Sequence, residues 1–119
     1  MFSKPIGKEI WVLLIEKAWA KLIGSYYDAE MMTPDQFMED LTGYPTLGAY
    51  FKNKKDKLKD ILEYSDKSYP IILTTGSRKM AGMVSNHAYS LLKIYELEEG
   101  RIYRLRNPWG RFEWNGLYG

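Results

Sequence analysis

The apolar residues of this 119-residue chain change period once, between Ser65 and Pro70, and that change restricts the fold more than any other feature. Before it the spacing is helical. Trp11, Ile15, Ala18 and Leu22 recur at steps of four, three and four, and Leu14 and Trp19 widen the stripe. The spacing predicts a helix from about Lys8 to Ile23, following an entry loop over 1–7. Its stripe belongs in a core, Glu16, Lys17 and Lys21 point to solvent, and Gly24 stops it. Ser25 to Met32 reads as a connection. Thr33-Pro34-Asp35-Gln36 is a helix start, with a capping threonine, a first-turn proline and a glutamine able to close a capping box. That helix ends before Gly43, and Tyr44-Pro45 breaks the chain again. Another helix runs from about Asn53 to Tyr64, with Leu58, Ile61 and Leu62 on its apolar face.

After the change the residues suit strands. Pro70 to Thr75 is a short β-branched run bounded by a loop over Gly76 to Ser85. His87 to Tyr95 alternates, with Ala88, Ser90 and Leu92 on one side and Tyr89, Leu91 and Lys93 on the other. Glu96 to Gly100 turns the chain, Arg101 to Arg106 returns, and Asn107-Pro108 ends the pairing because proline has no amide hydrogen to donate. Helices followed by antiparallel strands make an α+β fold. No internal repeat or low-complexity linker interrupts it.

Composition excludes several classes of function. The chain has no cysteine, so it forms no disulfide, no thiolate metal site and no cysteine nucleophile of its own. Its net charge of +2 is small, and acidic residues such as Asp56 interrupt the lysines of 52–59, so no nucleic-acid surface is expected. No apolar run approaches the roughly 18 residues of a membrane span. The N-terminus has no signal-peptide pattern, and the expectation is a soluble intracellular protein. The first helix carries two tryptophans, which need more cover than the short helices after it offer, so the chain alone is expected to expose an apolar patch.

The chemistry lies in the predicted hairpin. His87 is the only histidine, and Asn107 follows twenty positions later, on the neighbouring strand's end. Imidazole exchanges protons near neutral pH. To serve a thiol it must face it with one ring nitrogen while a partner fixes the other. An asparagine oxygen does this without adding charge. A thiolate–imidazolium pair is then a ready nucleophile. Trp109, two residues beyond Asn107, is placed to shield the His–Asn bond from water. On spacing alone, a packed or surface histidine and an Asn-Pro turn are the commoner readings of these residues.

The surrounding residues narrow the choice. His87-Ala88-Tyr89-Ser90, then Arg104-Leu105-Arg106-Asn107-Pro108-Trp109-Gly110, then Glu113-Trp114-Asn115-Gly116 resemble the calpain family of cysteine proteases. Its patterns are Gly-His-Ala-Tyr-Ser, Arg-Asn-Pro-Trp-Gly and Glu-Trp-Thr-Gly. The segment from Glu9-Ile10-Trp11 through Glu16-Lys17-Ala18-Trp19-Ala20-Lys21 to Gly24-Ser25-Tyr26 resembles a calpain helix, and Asp40-Leu41-Thr42-Gly43 is similar to the family's Asp-Phe-Thr-Gly. The stretch from about Pro45 to Met83 matches poorly.

The resemblance implies a papain-like core of two subdomains. Residues 1–26 would be the last helix of the cysteine-bearing subdomain. Residues 27–119 would form the His- and Asn-bearing second subdomain, with the core incomplete at both ends. His87 would be general base and acid, Asn107 its orienter and Trp109 their shield. The implied partners are the cysteine-bearing subdomain and a protein or peptide substrate. Calcium is implied too, with Glu9 and Glu113 matching one carboxylate of each family site, although such sites need six or more oxygens. The chain departs from the pattern at Asn86, where the family has glycine; asparagine is the mildest replacement if that residue needs a positive φ. The reading is part of a calcium-dependent cysteine endopeptidase, inactive alone. The alternatives are a non-catalytic calpain-like binding module and a generic papain-like segment without a calcium response.

Overall fold

A computed structural model of the chain describes residues 3–49 and 56–119, with the backbone alone for 56–58. The chain divides into two compact units, Met1–Leu47 and Gly48–Gly119.

The first unit is helical. Helix α1 spans Trp11–Ile23, three residues later than the predicted start at Lys8. The delay comes from a tight turn: Gly7 adopts φ 61°, and the Glu9 amide donates back to the Ile6 carbonyl at 3.2 Å, so Lys8 and Glu9 are spent closing it. Gly24 ends α1, its amide donating to Ala20 O at 3.0 Å. Glu16 does not point freely to solvent; it accepts the Ser3 amide at 2.6 Å and the Ser3 hydroxyl. The segment expected as a plain connection contains a five-residue helix, α2 (Tyr26–Glu30). Ser25 caps it, its hydroxyl accepting the Asp28 amide at 3.0 Å. A single turn is too short to leave an apolar period in the sequence. Helix α3 (Pro34–Thr42) starts and stops as expected. Gln36 Oε1 accepts from the Thr33 amide at 3.4 Å and its hydroxyl at 2.9 Å, and Gly43 leaves the helix with φ 70°.

The α1 stripe is not a core within this unit. Trp11 is 59 % exposed and Leu22 70 % exposed; the covered residue is Ala20. Trp19 joins α1 to α3, its indole N–H donating to Asp40 at 2.9 Å and its ring meeting Phe37 edge-on at 4.7 Å. One tryptophan and a few small contacts are what the short helices supply, which leaves the opposite face bare.

The second unit holds α4 (Asp56–Asp66) and a three-stranded antiparallel sheet in the order β1-β2-β3, made of Ile71–Thr74, Ala88–Leu97 and Gly100–Arg106. The predicted α4 start at Asn53 lies outside the described residues. The helix continues two residues past Tyr64 and packs on β2. Leu73 pairs with Tyr89 and Ile71 with Leu91, while Leu105 pairs with Leu91 from the other side. These apolar residues therefore share one face, and Tyr89 is its buried member.

The alternation predicted for β2 holds only to Leu91. Leu91 pairs with Leu105 but Lys93 with Arg104, so Leu92 is an extra residue in a β-bulge. After it Ile94, not Lys93, returns to partial cover. No helix among the described residues is long and apolar enough to cross a membrane.

Candidate active site

His87 is held by its backbone where β1 and β2 meet. The Thr75 amide donates to His87 O at 2.9 Å, and the His87 amide donates to the Thr75 hydroxyl at 3.0 Å. That hydroxyl donates in turn to Val84 O at 2.7 Å. One threonine thus ties the end of β1, the loop over 76–85 and the histidine together. The Asn86 amide closes the loop by donating to Gly76 O at 3.0 Å.

Asn86 adopts φ 49°, the left-handed region that glycine or asparagine occupies at least cost. The conformation, and not the side chain, is what the position requires. Asn86→Ala should therefore lower stability by about 1 kcal/mol, while Asn86→Gly should stay within about 0.5 kcal/mol of the parent. Urea unfolding midpoints for the two variants check the difference.

Asn107 follows β3 directly and is buried, 4 % exposed. Its carboxamide is fixed at three points. Nδ2 donates to Arg111 O at 2.7 Å, Oδ1 accepts the Trp109 amide at 3.0 Å, and Oδ1 faces His87 Nε2 at 2.8 Å. The first two bonds determine which end of the amide is oxygen, so the third requires the proton on Nε2. Nδ1 takes no hydrogen bond among the described residues and is open to solvent.

Two rings bracket the imidazole. Tyr89 meets it edge-on at 4.9 Å, and its hydroxyl accepts the Val84 amide at 2.9 Å. Trp109 lies tilted against it at 4.3 Å while remaining half exposed. The structure thus brings His87, Asn107 and Trp109 together. Sequence reasoning did not single out Thr75, Tyr89 or the Arg111 carbonyl as supports. Tyr89 was visible as an aromatic two residues after the histidine on the same strand face; the other two act through the register of β1 and a tail carbonyl, which leave no mark in the sequence.

Glu9 is exposed in the turn before α1, in the other unit, and Glu113 is exposed between Phe112 and Trp114. Among the described residues no three carboxylates or imidazoles gather to hold a metal ion. Calcium takes six to eight oxygens, so the described residues do not assemble a site around either glutamate.

Helices followed by an antiparallel sheet fit a papain-like core, and this one sets an imidazole on an asparagine oxygen beside an indole. The comparisons specify which kind. The profile described as "Calpain family cysteine protease" matches residues 1–119, and the chain belongs to that family. It is 32% identical to human Calpain-9 over 92% of its length, 35% to a Calpain of Schistosoma mansoni over 92%, and 33% to Calpain clp-4 of Caenorhabditis elegans over 92%. It spans only 18%, 16% and 17% of those relatives' lengths.

Proposed function

We propose that this chain supplies the histidine and asparagine of a Cys–His–Asn site for intracellular, calpain-type peptide hydrolysis. Residues 1–26 belong, on this reading, to the cysteine-bearing subdomain and 27–119 to the second. The observation that carries the reading is the 2.8 Å bond from Nε2 to Asn107 Oδ1, with Nδ1 left open. A ring fixed in this way presents Nδ1 as the group that trades a proton with a thiol.

That geometry supports the following steps. His87 Nδ1 takes the thiol proton, and the thiolate attacks the peptide carbonyl carbon. Collapse of the tetrahedral species breaks the C–N bond as Nδ1 returns the proton to the leaving amine. Water, deprotonated by Nδ1, then attacks the thioester, and the proton goes back to the released thiol. Throughout, Asn107 holds the ring plane and accepts the Nε2 hydrogen, and Trp109 limits water at that bond.

Calcium enters this proposal only as the family's effector. Glu9 and Glu113 would each offer one carboxylate to such an ion.

The test is to combine this chain with a cysteine-bearing calpain segment, add calcium and follow a peptide substrate. Hydrolysis that requires both parts and His87 is expected. Hydrolysis that survives His87→Ala would sink the assignment, and no hydrolysis with a competent partner segment would favour the non-catalytic binding module.

A further inference from the structure

The His–Asn pair is drawn from two separate stretches of chain. His87 follows the loop over 76–85, and Asn107 begins the tail over 107–119. Their direct contacts account for the ring and the carboxamide, but something must hold loop and tail at a constant separation.

A contact between Gly82 and Trp114 joins the two stretches away from the site itself. Gly82 lies at the loop tip, between residues of the Met80–Met83 bridge, with φ 71°. The indole of Trp114 lies flat enough on its backbone that a β-carbon there would fall 2.8 Å from Cζ3 and nearer still to Cε3. No side chain larger than hydrogen fits without displacing the ring. The ring's other edge lies over Gly116, where a β-carbon would be 2.7 Å from Cε2. Its Nε1–H donates to Leu117 O at 2.9 Å, which fixes the rotation of the ring. The indole is therefore seated on two glycines, one in the loop and one in the tail.

Both ends of this contact lead to the site over short distances. Two residues from Gly82, Val84 donates to the Tyr89 hydroxyl and accepts from Thr75, and those two side chains hold His87 by ring and backbone. Three residues before Trp114, the Arg111 carbonyl fixes the Asn107 carboxamide.

We propose that Trp114 and Gly82 form a latch that sets the distance between His87 and Asn107, making both positioning residues for the site. The inference deepens the functional reading, since it concerns the same pair. It is nonetheless testable without peptidase activity, because the chain has a single histidine whose ring nitrogens give unambiguous NMR signals.

The experiment records imidazole 15N resonances and Nε2–H exchange in the parent chain, Trp114→Ala, Trp114→Phe and Gly82→Ala. The β2–β3 amide signals serve as the folding control. The parent is expected to hold its proton on Nε2. Trp114→Ala should lose that preference and exchange the proton about fivefold faster or more, the factor carried by one net hydrogen bond. Trp114→Phe keeps a flat ring on Gly82 and should retain the parent pattern. Gly82→Ala should behave as Trp114→Ala if it folds; if it does not, the two Trp114 variants decide. A folded Trp114→Ala with the parent tautomer and exchange rate would overturn the latch. A parent without the Nε2 proton would instead overturn the site geometry on which the functional reading rests.

Discussion

His87→Ala should reduce peptide hydrolysis by the assembled protease by about 10⁴-fold in kcat, with little change in KM. Acid–base catalysis by a positioned side chain contributes about 10²–10⁴, and on the proposed reading the same ring also generates the thiolate. The two losses coincide because one group performs both. Removing the proton carrier of a triad alone costs nearly as much as removing the whole triad. The chain itself should stay folded. The imidazole is partly exposed, and its neighbours Tyr89 and Trp109 keep their own contacts to Val84 and Asn107. Steady-state kinetics on the combined segments, alongside thermal melts of the chain alone, separate lost chemistry from lost structure. A variant with kcat within tenfold of the parent would exclude His87 as the proton carrier.

Asn107→Ala should produce a different pattern, affecting stability as well as rate. Its side chain is the buried polar group among the described residues, and it satisfies the Trp109 amide and the Arg111 carbonyl as well as Nε2. Truncation leaves those groups unpaired, at about 1–3 kcal/mol for a buried donor or acceptor. The tail over 107–111 then loses the bonds that shape its turn, and the urea midpoint of the chain should fall. In the assembled protease kcat should drop by about 10²-fold. That is less than for His87, because the proposed role of Asn107 is to hold the ring and not to carry the proton. The loss should appear in kcat with KM preserved. A variant as stable as the parent would mean that the carboxamide bonds are replaced by water, and that Asn107 does not organise the turn.

The exposed stripe of α1 sets a condition on both experiments. Trp11, Leu14 and Leu22 present a broad apolar face within their own unit. Patches of this kind mark interaction surfaces or promote association. Melts and kinetics therefore need to be compared at matched concentration.

The parts of the structure legible in the sequence are those that depend on near neighbours. Thr33 and Gln36 form a cap three residues apart, Gly24 and Gly43 end helices by their own φ, and Pro108 stops β3 by lacking a donor. The hairpin that brings His87 towards Asn107 is local in the same sense, since two strands joined by a tight turn put its ends side by side. The α+β order and the His–Asn pair follow from these short-range rules.

Tertiary structure decided the rest. Helical spacing says which residues of α1 lie on one face but not whether anything covers them, and within its own unit little does. Strict alternation placed Leu92 with Ala88 and Ser90; the bulge that displaces it exists only in the pairing with β3. The carboxamide's orientation came from a tail carbonyl, the histidine's backbone anchor from Thr75 across the sheet, and the seat of Trp114 from a glycine thirty-two positions earlier. Each of these depends on atoms far apart in the chain meeting at van der Waals or hydrogen-bond distance. A periodicity measured over a few residues carries no information about that meeting.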